Sequence, residues 1–238
     1  MVNAGVPYWL AFVATLCMSF AMGVLVERVV IRPATRAPAL SVVIVYIGLM
    51  VILNSVAGWV FGYTTHAFPS PFPEEPLFGN HYLGSHEIGT IGVTFAMLGV
   101  LYAFFRFTSL GLALRAVADN PESSRLVGIR VERMLALGWG LAAAVGAVAG
   151  MMIAPIVFLD PSMMAGVMLY AFAAALLGGI DSPGGAVAGG FTVGILENLV
   201  GTYVVGTELK LTTALALIVG VLIFRPAGLF GQPSAARV

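Results

Sequence analysis

One acidic side chain, Glu197, lies inside an apolar segment of this 238-residue chain, and it is the residue best placed for chemistry. A carboxylate within a bilayer is costly and usually faces a protein interior or a water-filled cavity, where it can line a translocation path or relay protons. The alternative is a structural role, in which Glu197 forms a hydrogen bond with Asn198 or with a neighbouring helix. Residue type alone leaves both roles open.

The motifs of common enzyme chemistry are missing from the sequence. Lys210 is the one lysine, and it stands in no Gly-Lys-Ser/Thr phosphate-binding loop. Gly-x-Ser-x-Gly and His-Glu-x-x-His are also missing. His66, His81 and His86 lack a tight ligand spacing, which favours surface histidines over a metal site. We therefore expect no enzyme activity, no cofactor and no bound metal.

The composition indicates the environment in which these residues must be positioned. Hydrophobic residues make up 60% of the chain and charged residues 9%, whereas soluble domains carry about 25% charged residues. The eleven Lys and Arg are balanced by eleven Asp and Glu, so no basic surface for nucleic acid is expected. An ordinary soluble protein and a nucleic-acid-binding protein are both excluded, and a bilayer is indicated.

A membrane-spanning helix needs about 20 mostly apolar residues, and seven windows come close to this. The windows are 8–26, 39–62, 88–105, 134–158, 163–180, 186–205 and 211–224. We therefore predict an all-α fold, a polytopic transmembrane helical bundle of about seven spans, with residues 1–238 forming a single membrane domain.

Arginine predicts the orientation of these spans. The loop 27–38 holds three arginines and the loop 106–133 holds five, whereas the loop 63–87 holds no Lys or Arg. Positive loops remain in the cytoplasm, so we place the loops 27–38 and 106–133 inside and the loop 63–87 outside. The chain is then a multi-pass protein of the inner (plasma) membrane, with its N-terminus outside and its C-terminus in the cytoplasm.

The loop 106–133, called the elbow below, is predicted to hold two short helices. The first covers 112–118. Asn120 caps the second, Pro121 occupies its first position, Glu122 lies in its first turn and Gly128 ends it. Leu126 and Ile129 are candidate apolar anchors for a soluble partner. The alternative is a simple amphipathic connector.

A run of glycines separates two apolar windows, with the sequence Gly178-Gly179-Ile-Asp-Ser-Pro183-Gly184-Gly185. Proline stops a helix and glycine allows unusual backbone angles, so we predict a tight break here. The small-xxx-small spacing of Gly185 and Gly189 predicts close helix packing. These residues are candidates for the translocation path or for helix packing.

Four pieces of the sequence, taken in order, resemble the permease of the high-affinity branched-chain amino acid ABC transporters. They are Glu27-Arg-Val-Val-Ile-Arg32-Pro33, the stretch 111–129, Leu176-Leu-Gly-Gly-Ile-Asp-Ser-Pro-Gly-Gly185 and Arg225-Pro-Ala-Gly-Leu-Phe-Gly231. Each piece is weak alone, and the ordered set is specific. Members of that family carry a further apolar region upstream, so the resemblance implies a member that lacks the usual N-terminal region.

The resemblance implies a function and a set of partners. The chain would be an ABC importer permease for branched-chain or similar amino acids, energised by separate cytoplasmic ATPase subunits. It would pair with a second permease subunit and receive substrate from an extracytoplasmic binding protein. The elbow would be the ATPase-coupling segment, with the residues Arg115, Asp119, Asn120, Pro121, Glu122, Leu126, Gly128 and Ile129. The alternatives are an ion-coupled secondary transporter that uses Glu197 and a truncated, non-transporting membrane subunit.

Overall fold

The computed structural model describes residues 7–35, 37–72, 84–179, 182–203, 206, 210–224 and 228–229. In these residues the regular structure is helical, apart from one antiparallel bridge between His66 and Leu159. The chain divides into two compact units, Met1–Pro161 and Ser162–Val238. The prediction of an all-α fold is confirmed.

Ten α-helices and one π-turn follow each other along the described residues. They are α1 (Tyr8–Val26), the π-turn (Glu27–Ile31), α2 (Arg32–Ala34), α3 (Ala39–Phe61), α4 (Ser85–Phe107), α5 (Ser109–Asp119), α6 (Pro121–Leu126), α7 (Val131–Val157), α8 (Met164–Gly178), α9 (Pro183–Tyr203) and α10 (Lys210–Phe224). The long helices are apolar on every side, as expected of helices in lipid, whereas α5 is amphipathic.

Each of the seven apolar windows coincides with one helix. Four helical stretches of the described chain are long and apolar enough to cross a membrane: Tyr8–Ala34, Leu40–Phe61, Ser85–Phe107 and Val131–Val157. Helices α8 and α10 have 15 residues each and α9 has 21. A polytopic membrane protein is therefore confirmed, and the count of seven spans stays a prediction.

In the first unit, α1 packs closely along α7 at two glycines. A Cβ atom added to Gly23 would lie 2.6 Å from the carbonyl oxygen of Trp139 and 3.0 Å from the Cα atom of Gly140. Gly140 in turn packs against the ring of Phe20. Backbones can approach this closely only where side chains are missing. The pair Gly23 and Gly140 fixes the position of α1 on α7.

The end of the first unit that carries the His66–Leu159 bridge is held by a histidine inside the fold. His86 lies half-buried in the first turn of α4, and its Nε2 atom is 3.0 Å from the carbonyl oxygen of Met152. Its Nδ1 atom is 2.9 Å from the hydroxyl oxygen of Ser70. A carbonyl only accepts hydrogen bonds, so Nε2 carries the proton and Ser70 donates to Nδ1. The expectation of a surface histidine was wrong for His86, and His81 lies outside the described residues.

The second unit is built from α8, α9 and α10, which pack around a small apolar cluster. Ala173, Leu177 and Val193 are buried at its centre, and Ile218 and Val221 of α10 pack against them. A Cβ atom on Gly178 would collide with the backbone of Gly185 and Ala186, and one on Gly189 with the carbonyl oxygen of Ala174. The packing role predicted from the spacing of Gly185 and Gly189 is confirmed for Gly189.

The predicted break between the two apolar windows lies where α8 ends at Gly178 and α9 begins at Pro183. Ser182 starts the new helix, because its hydroxyl oxygen accepts a hydrogen bond of 3.0 Å from the backbone N–H of Gly185. Gly179 has a φ of +101°, which ends α8. Gly184 is exposed, and a Cβ atom added to it would meet no described atom within 4 Å, so close packing does not require a glycine here.

Candidate coupling site

The elbow is attached to the end of α4 by a tight turn. The side chain of Thr108 caps α5, accepting a hydrogen bond of 3.0 Å from the backbone N–H of Gly111 and donating one of 2.6 Å to the carbonyl oxygen of Phe104. A Cβ atom on Gly111 would lie 2.7 Å from the Cα atom of Phe105. Helix α5 therefore folds back directly from the end of α4, with little freedom at the junction.

The second helix of the elbow is capped at both ends, as its sequence predicts. The side-chain oxygen of Asn120 accepts a hydrogen bond of 3.0 Å from the backbone N–H of Ser123. At the other end Gly128 has a φ of +85°. The N–H groups of Gly128 and Ile129 each donate a 3.0 Å bond, to the carbonyl oxygens of Arg125 and Ser124. This is the Schellman motif, and it gives the six-residue α6 a defined shape.

Beneath the elbow lies a small hydrophobic core that ties it to α7. Val117 of α5 and Val131 of α7 are each 3% exposed, and they pack with Met134. Ile129 packs against this cluster. The position of Ile129 therefore differs from the expected one, because its side chain is half-buried against this core and only partly available at the surface.

The outer surface of α6 presents apolar side chains to its surroundings. Leu126 is 89% exposed, and Val127, which follows it, is 76% exposed. Arg115, Asp119 and Arg125 are also exposed and take part in no ion pair within the described residues. Two adjacent apolar side chains with free charges around them are typical of a protein-docking surface.

A shallow recess of about 330 Å³ lies beside these apolar side chains. It is lined by Gly128, Ile129, Val131 and Glu132, together with the three arginines Arg125, Arg130 and Arg133. Guanidinium groups bind carboxylates through paired hydrogen bonds. The recess can therefore accept an acidic side chain of a partner.

An ion cluster joins the start of α7 to the end of α1. The Nε and NH2 atoms of Arg32 donate to the two carboxylate oxygens of Glu27 at 3.1 and 3.0 Å. Its NH1 atom donates to a carboxylate oxygen of Glu132 at 3.1 Å, and NH2 also donates to the Glu132 carbonyl at 3.1 Å. Glu27 is 2% exposed. A single guanidinium thus contacts both helices.

The π-turn makes the Glu27–Arg32 pair possible. In an α-helix the residue five positions on lies about 140° around the axis, away from its partner. Here the backbone N–H of Arg32 bonds the carbonyl of Glu27, five residues back, so the wider turn brings Arg32 over Glu27. Pro33 supplies a local reason, because its ring clashes with the preceding turn of a regular helix and it has no N–H to donate.

In the second unit Glu197 has its neighbour on another helix, which is one of the two alternatives that the sequence left open. It is the fifteenth residue of the 21-residue α9 and lies about 9 Å before its end at Tyr203. The half-buried Tyr170 of α8 lies close enough for its hydroxyl to interact with the Glu197 carboxylate. Asn198, the alternative partner, instead accepts a long hydrogen bond of 3.5 Å from Thr202.

Sequence reasoning missed several of these residues for separate reasons. The run Glu27-Arg-Val-Val-Ile-Arg32-Pro33 was noticed, but its i, i+5 spacing has no meaning on a regular helix. Val127 was not predicted as an anchor, because Leu126 and Ile129 were expected to fill that role. Tyr170 could not be found, because helix pairing is needed to bring α8 next to α9.

Comparison with known proteins places these features in a family. Residues 1–224 match the family model described as the permease component of the branched-chain amino acid transport system. The chain is 34% identical to the high-affinity branched-chain amino acid transport system permease protein LivH of Escherichia coli, over 95% of this chain and 75% of that protein. It is 32% identical to BraD of Pseudomonas aeruginosa, a permease of the same description, over 96% of this chain and 76% of that one.

A more distant similarity extends to the archaea. The chain is 27% identical to the probable branched-chain amino acid transport permease protein LivH of Methanocaldococcus jannaschii, over 81% of this chain and 62% of that protein. No solved structure matches the chain. The family match covers α1 to α10 and therefore includes the elbow, the Arg32 ion cluster and the glycine break. The chain belongs to the family of branched-chain amino acid ABC transport permeases.

Proposed function

We propose that this permease carries branched-chain amino acids into the cell, driven by separate ATPase subunits that dock on the elbow. The observation that carries the proposal is the exposed pair Leu126 and Val127 on a helix that is capped at both ends. An ABC permease without a phosphate-binding loop must receive its energy through contact with a partner. A rigid helix with a few apolar anchors concentrates binding energy in few residues.

The docking surface has a centre and a rim. Leu126 and Val127 form the centre, with Val127 taking the anchor role first given to Ile129. Arg115, Asp119, Glu122 and Arg125 form the rim and orient the ATPase, while the capping residues Asn120 and Pro121 and the turn residue Gly128 hold the shape of α6. Exposed charges of this kind each contribute only about 0–1 kcal/mol. The affinity therefore depends mainly on the apolar centre.

Orientation and the other partners complete the proposal. The elbow and the Arg-rich loop 27–38 lie in the cytoplasm, and the loop 63–87 lies outside, where a substrate-binding protein docks. A second permease subunit completes the pore, and the exposed apolar side chains of α3, such as Leu40 and Trp59, face that subunit or lipid. Residues 1–238 act as one membrane domain with no catalytic activity of its own.

The translocation path is proposed to pass along α8 and α9 in the second unit. Glu197 and Tyr170 supply a polar patch within otherwise apolar helices. Gly178, Gly179, Pro183, Gly184 and Gly185 form the break that lets α8 and α9 approach each other. A carboxylate beside a phenol offers hydrogen-bond acceptors to the ammonium group of an amino acid.

A binding experiment tests the docking surface. The permease is co-expressed with its ATPase subunits, and the Leu126→Asp and Val127→Asp variants are compared with Leu112→Asp, an equally drastic change at an exposed residue of α5. We expect the two α6 variants to insert in the membrane but to lose ATPase co-purification and uptake. The Leu112→Asp control should keep both. Normal ATPase binding by Leu126→Asp would show that the elbow is only a connector.

A labelling experiment tests the orientation. In a Cys17→Ala background, a cysteine at Thr64 should react with an impermeant thiol reagent on intact cells. A cysteine at Ser123 should react only after the membrane is made permeable. The reverse pattern would overturn the orientation and, with it, the cytoplasmic docking of the ATPase.

A further inference from the structure

The elbow is joined to α1 through two successive connections. The first is hydrophobic: Ile129 and Val117 pack with Val131 and Met134, so a displacement of the elbow must displace the first turns of α7. The second is ionic: Arg32, the first residue of α2, continues α1 beyond the π-turn and holds both the side chain and the backbone carbonyl of Glu132 in the first turn of α7.

We propose that Arg32 is a positioning residue, a latch that transmits movement of the elbow to the first membrane span. The inference rests on the proposed function, because it assumes that an ATPase moves the elbow. It also identifies Arg32 as the residue that passes this movement from the elbow to the first membrane span.

The two ion pairs of the latch, Arg32 with Glu27 and Arg32 with Glu132, differ in burial. This difference determines which of them can break. The side chain of Glu27 is 3% exposed, whereas that of Glu132 is 66% exposed. A buried carboxylate that loses its cation is left uncompensated, so the Glu27–Arg32 pair is permanent. A water-exposed ion pair breaks at little cost. The Arg32–Glu132 contact is therefore the half that can form and break as the elbow moves.

Arginine is the side chain suited to this position. Its planar fork donates in several fixed directions, and here it donates four hydrogen bonds to two residues on different helices. A lysine would supply the charge as a single point and could not hold both carboxylates and the Glu132 carbonyl in a fixed arrangement. The geometry of the latch is thus specific to the guanidinium group.

The test uses the complete transporter with its ATPase subunits, in proteoliposomes with leucine as the probe. Glu132→Lys places a second cation next to Arg32 and opens the latch at its exposed side, leaving the buried pair intact. The matched control is Arg28→Glu, a charge reversal of the same size and opposite sign at an exposed residue of the π-turn that forms no ion pair within the described residues. ATPase co-purification, ATP hydrolysis and leucine uptake are measured for each variant.

We expect Glu132→Lys to bind the ATPase and to hydrolyse ATP, with uptake per ATP lower by roughly twofold to thirtyfold, the range for residues that carry coupling. Glu132→Gln keeps the backbone acceptor for Arg32 and should lie between that variant and the wild type. Arg28→Glu should match the wild type. Unchanged uptake per ATP in Glu132→Lys, or a fall in hydrolysis and in uptake by the same factor, would overturn the latch.

Failure of the latch can be distinguished experimentally from failure of the proposed function. If Glu132→Lys fails to insert, the pair of substitutions Glu27→Gln and Arg32→Met removes both charges of the Glu27–Arg32 pair, and the same loss of uptake per ATP is required. If Leu126→Asp retains ATPase binding, the docking surface is wrong whatever the Glu132 variants do. If Leu126→Asp loses binding while Glu132→Lys transports normally, the docking surface stands and the latch fails.

Discussion

The backbone N–H of Leu229 donates a 2.7 Å hydrogen bond to the carbonyl oxygen of Leu177, at the end of α8. Beside this bond Gly228 packs on the backbone of Gly179. The two stretches are some fifty positions apart and were noticed in the sequence as separate pieces of a family pattern. Their contact fastens Gly228 and Leu229 to the glycine break.

Gly228→Ala should therefore destabilise the second unit. Gly228 has a φ of +78°, and an added Cβ atom would lie 2.5 Å from the nitrogen of Gly179. Gly206 has a φ of +82°, and a Cβ atom added to it would meet no described atom within 4 Å, so Gly206→Ala isolates the backbone cost, about 1–2 kcal/mol. We expect a larger fall in melting temperature, measured in detergent, for Gly228→Ala. Equal falls would mean that the contact with Gly179 contributes nothing.

Glu197→Gln should reduce uptake without changing its energy source. The substitution removes the charge that Tyr170 faces but leaves an amide of the same shape, so a partial defect is expected. Tyr170→Phe should give a similar, smaller defect. Uptake into proteoliposomes is followed with ATP and, separately, with an imposed pH gradient. Uptake driven by the gradient with no ATPase present would support an ion-coupled transporter and contradict the ABC assignment.

His86→Ala should loosen the segment around Ser70. The change removes hydrogen bonds to Ser70 and Met152, each contributing about 0.5–1.5 kcal/mol. Amide hydrogen exchange in residues 64–72 should accelerate, while exchange in α5 should stay the same. His66→Ala is the matched control, because within the described residues the His66 side chain hydrogen-bonds Thr64 alone, at 3.2 Å, and its bridge to Leu159 uses backbone atoms. Unchanged amide hydrogen exchange in residues 64–72 of the His86→Ala variant would show that His86 does not hold this segment in place.

Gly128→Val should uncouple the elbow even though it touches no membrane span. A β-branched residue at a φ of +85° costs about 1–3 kcal/mol, which is enough to disturb the Schellman turn that positions Leu126. Asparagine tolerates this conformation, so Gly128→Asn should keep most activity. ATPase co-purification distinguishes the two variants. Equal binding by both would mean that the turn does not shape the docking surface.

Much of the fold was predictable because lipid imposes one simple requirement. Backbone groups in the bilayer must pair within their own segment, so each uncharged apolar window became a helix. Asn120 and Gly128 were also predictable, because caps depend on residues close in sequence. Local rules of this kind do not require knowledge of the packing.

The rest depended on which helices are neighbours. Gly23 and Gly140 are unremarkable in their apolar windows, and only the packing of α1 on α7 gives them a role. His86 looked like a loop residue because no local signal revealed the Met152 carbonyl on α7. Ile129 packs against the core beneath the elbow, and its position was not predictable because that core forms only when α5 packs on α7.

The π-turn at Glu27–Ile31 has a consequence for how this segment can evolve. A π-turn amounts to one extra residue inserted into an α-helix. Deleting a single residue between Glu27 and Arg32 would turn the i, i+5 pair into an i, i+4 pair on a regular helix, so the arginine N–H would still bond the Glu27 carbonyl and the helix beyond would keep its direction. The segment can therefore lose one residue and keep the Glu27–Arg32 pair, whereas an added residue that continued the helix regularly would rotate everything beyond it by about 100° and displace the Arg32 guanidinium from the Glu132 carboxylate.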